Sequence, residues 1–281
     1  MITKKDILAK VKHLPSISNV IVKLAELLNN PRSSATDFEK IVRNDPALTA
    51  NLLRIANSAF FGCPREVTSV KQAITLMGVG RVFEIAASAS FMKILPETLP
   101  GYEMNAEMFW LHSMAVAVLS EKLSKELKVK TPDLVFTAGL LHDVGKLAIA
   151  SFLDDEKENV LQKIKVGGKA LVQIEKELLG MDHTEVGLIV AEEWNLPPRL
   201  ALSARYHHVP NEMPDAGDTL LVDLVHVANC LAHMIGYGSD IGEMHRIIDP
   251  RVMARLKFKV QVLERVASGA TAEIQAMGEL F

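Results

Sequence analysis

Residues 138–146 read Ala-Gly-Leu-Leu-His-Asp-Val-Gly-Lys. A histidine and an aspartate stand side by side at the end of a short apolar run, with a lysine three residues beyond the acid. On both sides of this stretch, apolar positions recur at helical spacing and strand-like alternation is scarce. Upstream, Asn105 can cap a long helix through Trp110, His112, Val116, Leu119 and Leu123, and Thr131-Pro132-Asp133 is a cap-plus-Pro start for the helix that leads to the His-Asp pair. Downstream, Asp182-His183-Thr184-Glu185 reads as a capping box. Pro197-Pro198 opens a helix that closes on His207-His208, and Leu220 to Ile235 forms a further helix, followed by Gly236 and Gly238. The fold class expected is all-α.

Residues 1–95 read as a group of short helices. Pro15 stops the first, Ser18 can cap the second, and Ser34 or Thr36 opens the third. Asp45-Pro46 starts a fourth, Phe60-Phe61 lie in a loop, and Ser69 opens a helix that ends near Gly78, before a longer apolar one from Val79. Two prolines and a glycine make 96–104 the expected linker. The organisation expected is therefore an N-terminal helical subdomain over 1–95, packed on a helical bundle over 96–281 that includes a C-terminal segment opened by Asp249-Pro250.

Of the 281 residues, 49% are hydrophobic but only 5% aromatic, which suits a core of packed aliphatic helices. The net charge of −3 leaves no basic footprint, so nucleic-acid binding is not expected. Cys63 and Cys230 stand far apart with no finger spacing, which excludes a structural zinc finger and fits a reducing cytoplasm. The N-terminus has no apolar segment of signal-peptide type, and runs such as 114–119 are too short to span a bilayer.

The chemistry is concentrated in the second half. His112, His142, Asp143, His183, His207, His208 and Asn229 lie on or at the ends of different helices. Imidazole and carboxylate together suit divalent transition metals, and helix bundles build such sites from donors on facing helices. Plainer readings stand beside this one. His142-Asp143 can be a structural pair near a helix C-terminus, His112 a satisfied core histidine, His226 a packing residue, and Lys146 a helix cap.

In order and type, this set is similar to the signature of the HD-superfamily metal-dependent phosphohydrolases, and more closely resembles the HDOD proteins, bacterial relatives linked to signalling. The HDOD-like features include Leu-Pro-Ser-Ile at 14–17, Asp-Pro-Ala-Leu-Thr at 45–49, Ala-Asn-Ser-Ala at 56–59, Gln-Ala-Ile at 72–74 and Leu-Met-Gly at 76–78. Gly-Leu-Leu-His-Asp-Val-Gly-Lys at 139–146 and Tyr-His-His at 206–208 continue them. The resemblance implies metal ligation by His112, His142, Asp143, His183, His207 and His208, with Asp143 bridging. Lys146 matches a lysine that reaches a phosphate in HD-GYP phosphodiesterases. Position 229 is Asn where active members of the superfamily place an Asp ligand, and no Gly-Tyr-Pro motif follows His208, so the chain departs from the HD-GYP type. The function implied is a non-catalytic regulatory module, free-standing in the cytoplasm, working through protein partners or a small nucleotide ligand, with no membrane. Its degenerate pocket would hold a divalent metal such as Fe, Mn, Zn or Ni, or a small ligand, or stand empty. The alternative is a metal-dependent phosphohydrolase of a nucleotide or phosphodiester, with Asp143 and Lys146 as its catalytic residues and a metal lowering the pKa of water.

Overall fold

The computed structural model describes residues 3–58, 65–130, 134–167, 169–214, 219–238 and 247–279. Phe60-Phe61, Cys63, the Thr131-Pro132-Asp133 start and His245 lie outside them. The chain is all-α, as its periodicity predicts. Contacts divide it into two compact units, one of residues 1–15 with 95–274 and one of 16–94 with 275–281.

The smaller unit holds α2 (Asn19–Asn29), α3 (Ala35–Arg43), α4 (Pro46–Ala56) and α5 (Val70–Met92). Its starts are set by the predicted residues. The Ser18 side chain accepts from the Val20 N–H, Ser34 forms a capping box with Asp37, Asp45 caps Leu48 with Pro46 at the first helical position, and Ser69 accepts from Gln72. The expected break near residue 78 is a kink inside α5, where Gly78 has φ +81°. A left-handed backbone of that kind suits glycine.

The larger unit begins with α1 (Lys4–Lys12), whose capping Thr3 accepts from the Asp6 N–H. It continues with α6 (Ala106–Glu126), α7 (Val135–Leu141), α8 (Lys146–Asp155), α9 (Lys157–Val166), α10 (Leu171–Leu179), α11 (His183–Glu193), α12 (Pro198–Tyr206), α13 (Thr219–Met234), α14 (Pro250–Leu256) and α15 (Val260–Glu279) as far as residue 274. α6 packs on α7 and α13, α11 on α12 and α8, and α12 on α7 and α13. Their shared centre is filled by Phe109, Val116, Phe136, Leu140, Val186, Leu224 and Ala228, each no more than 2% exposed.

The expected linker at 96–104 is ordered instead. It forms two antiparallel two-residue strands, β1 (Thr98–Leu99) and β2 (Met104–Asn105), around a 3-10 turn. Leu99 and Tyr102 are fully buried. A Cβ on Gly101 would lie 2.4 Å from the Ala150 carbonyl oxygen, so the glycine here allows close approach to α8 and does not mark a hinge.

Two stretches, 70–92 and 135–155, are long and apolar enough to cross a membrane by composition, a correction to the expectation drawn from unbroken apolar runs. Of their most apolar windows, 56% and 89% are buried within the protein, as in core helices.

Candidate metal centre

The turn between α7 and α8 places His142 and Asp143 in the middle of the larger unit. Two glycines allow it. A Cβ on Gly139 would lie 2.7 Å from the Ala117 Cα, so α7 rests directly on the α6 backbone. A Cβ on Gly145 would lie 1.9 Å from the His183 carbonyl oxygen, so the turn abuts the first residue of α11. Main chains in contact here bring side chains from α6, α7, α11 and α12 to one point.

That point is the Asp143 carboxylate. Its Oδ2 lies 3.3 Å from His142 Nε2, 3.5 Å from His112 Nε2 and 2.8 Å from Lys146 Nζ. Its Oδ1 lies 3.3 Å from His183 Nε2 and 3.4 Å from His207 Nε2. The five side chains other than Lys146 are at most 2% exposed, and Lys146 is buried with them, its ammonium 5.1 Å from the centre of the Tyr102 ring. His208, half-buried, sets its Nε2 3.1 Å from that of His183.

The tautomers show what the cluster can accept. Nδ1 of His112 faces the Tyr237 carbonyl at 2.7 Å, Nδ1 of His142 faces that of Gly139 at 2.7 Å, and Nδ1 of His207 faces that of Ala204 at 2.9 Å. Facing acceptors, these nitrogens carry the protons, which leaves a lone pair on each Nε2. All three Nε2 atoms are buried without a hydrogen-bond partner, around an Asp143 carboxylate whose Oδ2 is ion-paired with Lys146. Lone pairs converging on a carboxylate repel unless a cation sits among them. Burial of unpartnered acceptors costs roughly 1–3 kcal/mol each, so the arrangement fits a metal ion. The donor atoms fall into two overlapping sets, Asp143, His183, His207 and His208, and His112, His142 and Asp143, each with its atoms within 4.8 Å of one another.

The protonation pattern agrees. Burial would raise the Asp143 carboxyl, but the charges beside it at His142 and Lys146 hold it well below the usual carboxylate range. Burial lowers His142, and it lowers His207 to about 3. Burial also opposes the charge on His183, yet Glu175 and Asp143 lift it to about 9. His183 and His207 diverge because only His183 has a carboxylate at each nitrogen. A metal bound at His183 must therefore displace a proton.

Glu175 and Tyr102 are the residues that motif reasoning missed. Glu175, fully buried, accepts from His183 Nδ1 at 2.7 Å and from its main-chain N–H at 2.8 Å. The Tyr102 hydroxyl donates to Glu175 at 2.8 Å. A signal did exist. Leu171, Ile174, Glu175 and Leu179 form the buried face of α10, so the acid falls on the apolar side of an amphipathic helix. A carboxylate behind an imidazole fixes the ring and raises its basicity. Replacing Glu175 with Gln is expected to weaken divalent-metal binding by about 10–100-fold, read by isothermal titration, while Tyr102→Phe has a smaller effect.

Asn229 lies on α13 and is 1% exposed, with neither amide atom hydrogen-bonded. His226 is committed elsewhere, to main-chain groups of His207 and Asp249. His233 stacks edge-on against His112 at 4.9 Å between ring centres. Beside His208 a groove of about 600 Å³ runs past Lys176, Glu185, Arg205 and Glu212.

Fold and site together define an all-helical protein with a buried His/Asp centre able to hold a metal ion. The HDOD domain matches residues 14–210, and the chain belongs to that family. Among solved structures, an HDOD domain protein of unknown function from Geobacter sulfurreducens is 24% identical, with TM-score 0.80 over 99% of this chain and 96% of that one. A candidate phosphohydrolase of Shewanella amazonensis is 24% identical, with TM-score 0.73 over 98% and 97%. A candidate signal transduction protein of Marinobacter aquaeolei is 20% identical, with TM-score 0.75 over 99% and 65%. These likenesses establish the fold. The chain is also 21% identical over 207 residues to an uncharacterized protein of Treponema pallidum, of which it spans 38%.

Proposed function

We propose that the chain is a regulatory module of signal transduction in the cytoplasm whose buried cluster holds a divalent transition metal, Fe, Mn, Zn or Ni, and whose output is contact with partner proteins. The observation that carries this reading is the convergence of three unpartnered imidazole lone pairs on one buried carboxylate. Its ligands would be His112, His142, Asp143, His183, His207 and His208, with Asn229 a weak neutral donor. Two features favour binding over turnover. Lys146 already neutralises Asp143 at 2.8 Å. An amide at 229 supplies none of the negative charge that a second hard cation requires.

The second reading, a metal-dependent phosphohydrolase acting on a nucleotide or phosphodiester, is favoured by the groove that reaches His208. A metal held there would act as a Lewis acid toward a phosphate oxygen and lower the pKa of water. Asp143 would orient that centre, and Lys146 would offer its ammonium to the phosphate. The test is a turnover screen of metal-loaded protein against cyclic nucleotides and bis(p-nitrophenyl) phosphate. Turnover no higher than that of Asp143→Asn supports the regulatory module. Metal-dependent turnover that Asp143→Asn abolishes establishes the hydrolase.

If Asn229 is a weak donor, Asn229→Asp should tighten Mn(II) binding on the order of tenfold, the equivalent of about 1.4 kcal/mol. Unchanged affinity in isothermal titration removes position 229 from the ligand set.

A further inference from the structure

A second polar chain runs through the same unit from the metal-type cluster to the C-terminal segment. His226, on α13, is 6% exposed. Its Nδ1 is 2.7 Å from the carbonyl oxygen of His207, and its Nε2 is 3.1 Å from the main-chain N–H of Asp249. One nitrogen faces an acceptor and the other a donor, so the ring is neutral with its proton on Nδ1. His207 follows the last residue of α12, where carbonyls have no partner within their own helix, and His226 supplies one.

The far end of the chain is clamped. Asp249 caps α14, and Asn211 donates to its carboxylate. Arg255, near the end of α14, grips the carboxylate of Asp223 on α13 with two bonds of 2.8 and 2.6 Å. Asp223 is 2% exposed, so this bidentate pair ties α14 to α13 through a buried acid. It holds the Asp249 N–H against His226. His226, Asp249 and Arg255 all lie beyond residue 210, where the family match ends.

We infer that His226 is a positioning residue for the His207 imidazole and that α14 holds it in place, which makes the cluster depend on a segment outside the family-matched region. The inference rests on the metal-binding reading above. His207 is fixed twice, its ring by the Ala204 carbonyl and its main chain by His226. Productive ligand geometry tolerates about 0.5 Å and 10–20° of displacement, so loss of the main-chain anchor moves Nε2 away from Asp143. A histidine that merely fills the core would affect stability but neither the His207 tautomer nor metal affinity.

The experiment uses the full chain and four variants, His226→Phe, His226→Gln, Arg255→Gln and the double His226→Phe/Arg255→Gln. Zn(II) affinity is measured by isothermal titration, and the His207 ring tautomer is read by long-range 1H–15N correlation on metal-free protein. Folding is checked by thermal melts. His226→Phe should lower affinity by about 10–100-fold, the usual effect of losing an outer-shell partner, and should give His207 a mixed tautomer. His226→Gln, which keeps a donor and an acceptor, should recover most of the affinity. Arg255→Gln should weaken binding several-fold, and the double variant should be no worse than His226→Phe alone, because Arg255 acts through His226. A folded His226→Phe with unchanged His207 signals overturns the inference, as does additive loss in the double variant. A wild-type chain that takes up no metal defeats the metal-binding reading, and the ring signals still decide the positioning role.

Discussion

Replacing Asp143 with Ala is expected to abolish metal uptake and to destabilise the metal-free protein by roughly 3–5 kcal/mol, the usual penalty for breaking a buried ion pair from one side. The carboxylate is 1% exposed and is the common neighbour of four imidazoles and one ammonium. Without it, the buried Lys146 ammonium loses the carboxylate that stands 2.8 Å from it. The diagnostic comparison is therefore Asp143→Ala with Asp143→Ala/Lys146→Met. Removing the ammonium that Asp143 neutralises should recover part of the lost stability in a urea melt, with no recovery of metal binding. Equal stability in the two variants would show that Lys146 is not held by Asp143.

Gly145→Ala is the second substitution with a large expected effect. The added Cβ would fall 1.9 Å from the carbonyl oxygen of His183 and 2.5 Å from the Gly187 nitrogen, both main-chain atoms. No rotamer change relieves that clash. Either the turn carrying His142 and Asp143 moves, or the start of α11 carrying His183 does. The cost should be at least about 3 kcal/mol, the upper end of ordinary overpacking, and the donors should separate. Gly269→Ala is the control. It lies within α15 with nothing within 4 Å of its added Cβ, and glycine inside a helix is roughly 0.5–1 kcal/mol worse than alanine. Thermal melts should show Gly145→Ala strongly destabilised and Gly269→Ala unchanged or slightly stabilised.

The two substitutions also show what the sequence makes legible. The helix starts are local chemistry, and Asp45, Asn105, Asp182 and Asp249 each cap a helix through their own side chains. The His and Asp residues are legible as a set through their order along the chain, which resembles the HD-superfamily signature, whereas His142-Asp143 alone reads equally as a structural pair. What was not legible depends on approach between distant segments. Gly101 reads as a linker residue until Ala150 is found against it. Glu175 reads as one more surface acid of α10 until the face it occupies is counted. His226 reads as a packing residue in the sequence, and only the fold shows both its nitrogens committed to main-chain groups. Burial lowers both His183 and His207, and the rise at His183 against the fall at His207 turns first on Glu175, a partner eight residues away across a helix boundary, while His142 and His183 deepen the fall at His207.

The central claim is that this cluster binds a metal. The most direct measurement is the metal content, by inductively coupled plasma mass spectrometry, of protein purified without chelator, beside an Asp143→Asn variant checked for folding. Near-stoichiometric Fe, Mn, Zn or Ni in the wild type and its loss in the variant is the result predicted. A folded wild-type protein that carries no transition metal, and takes up none when dialysed against each of the four ions, would contradict it.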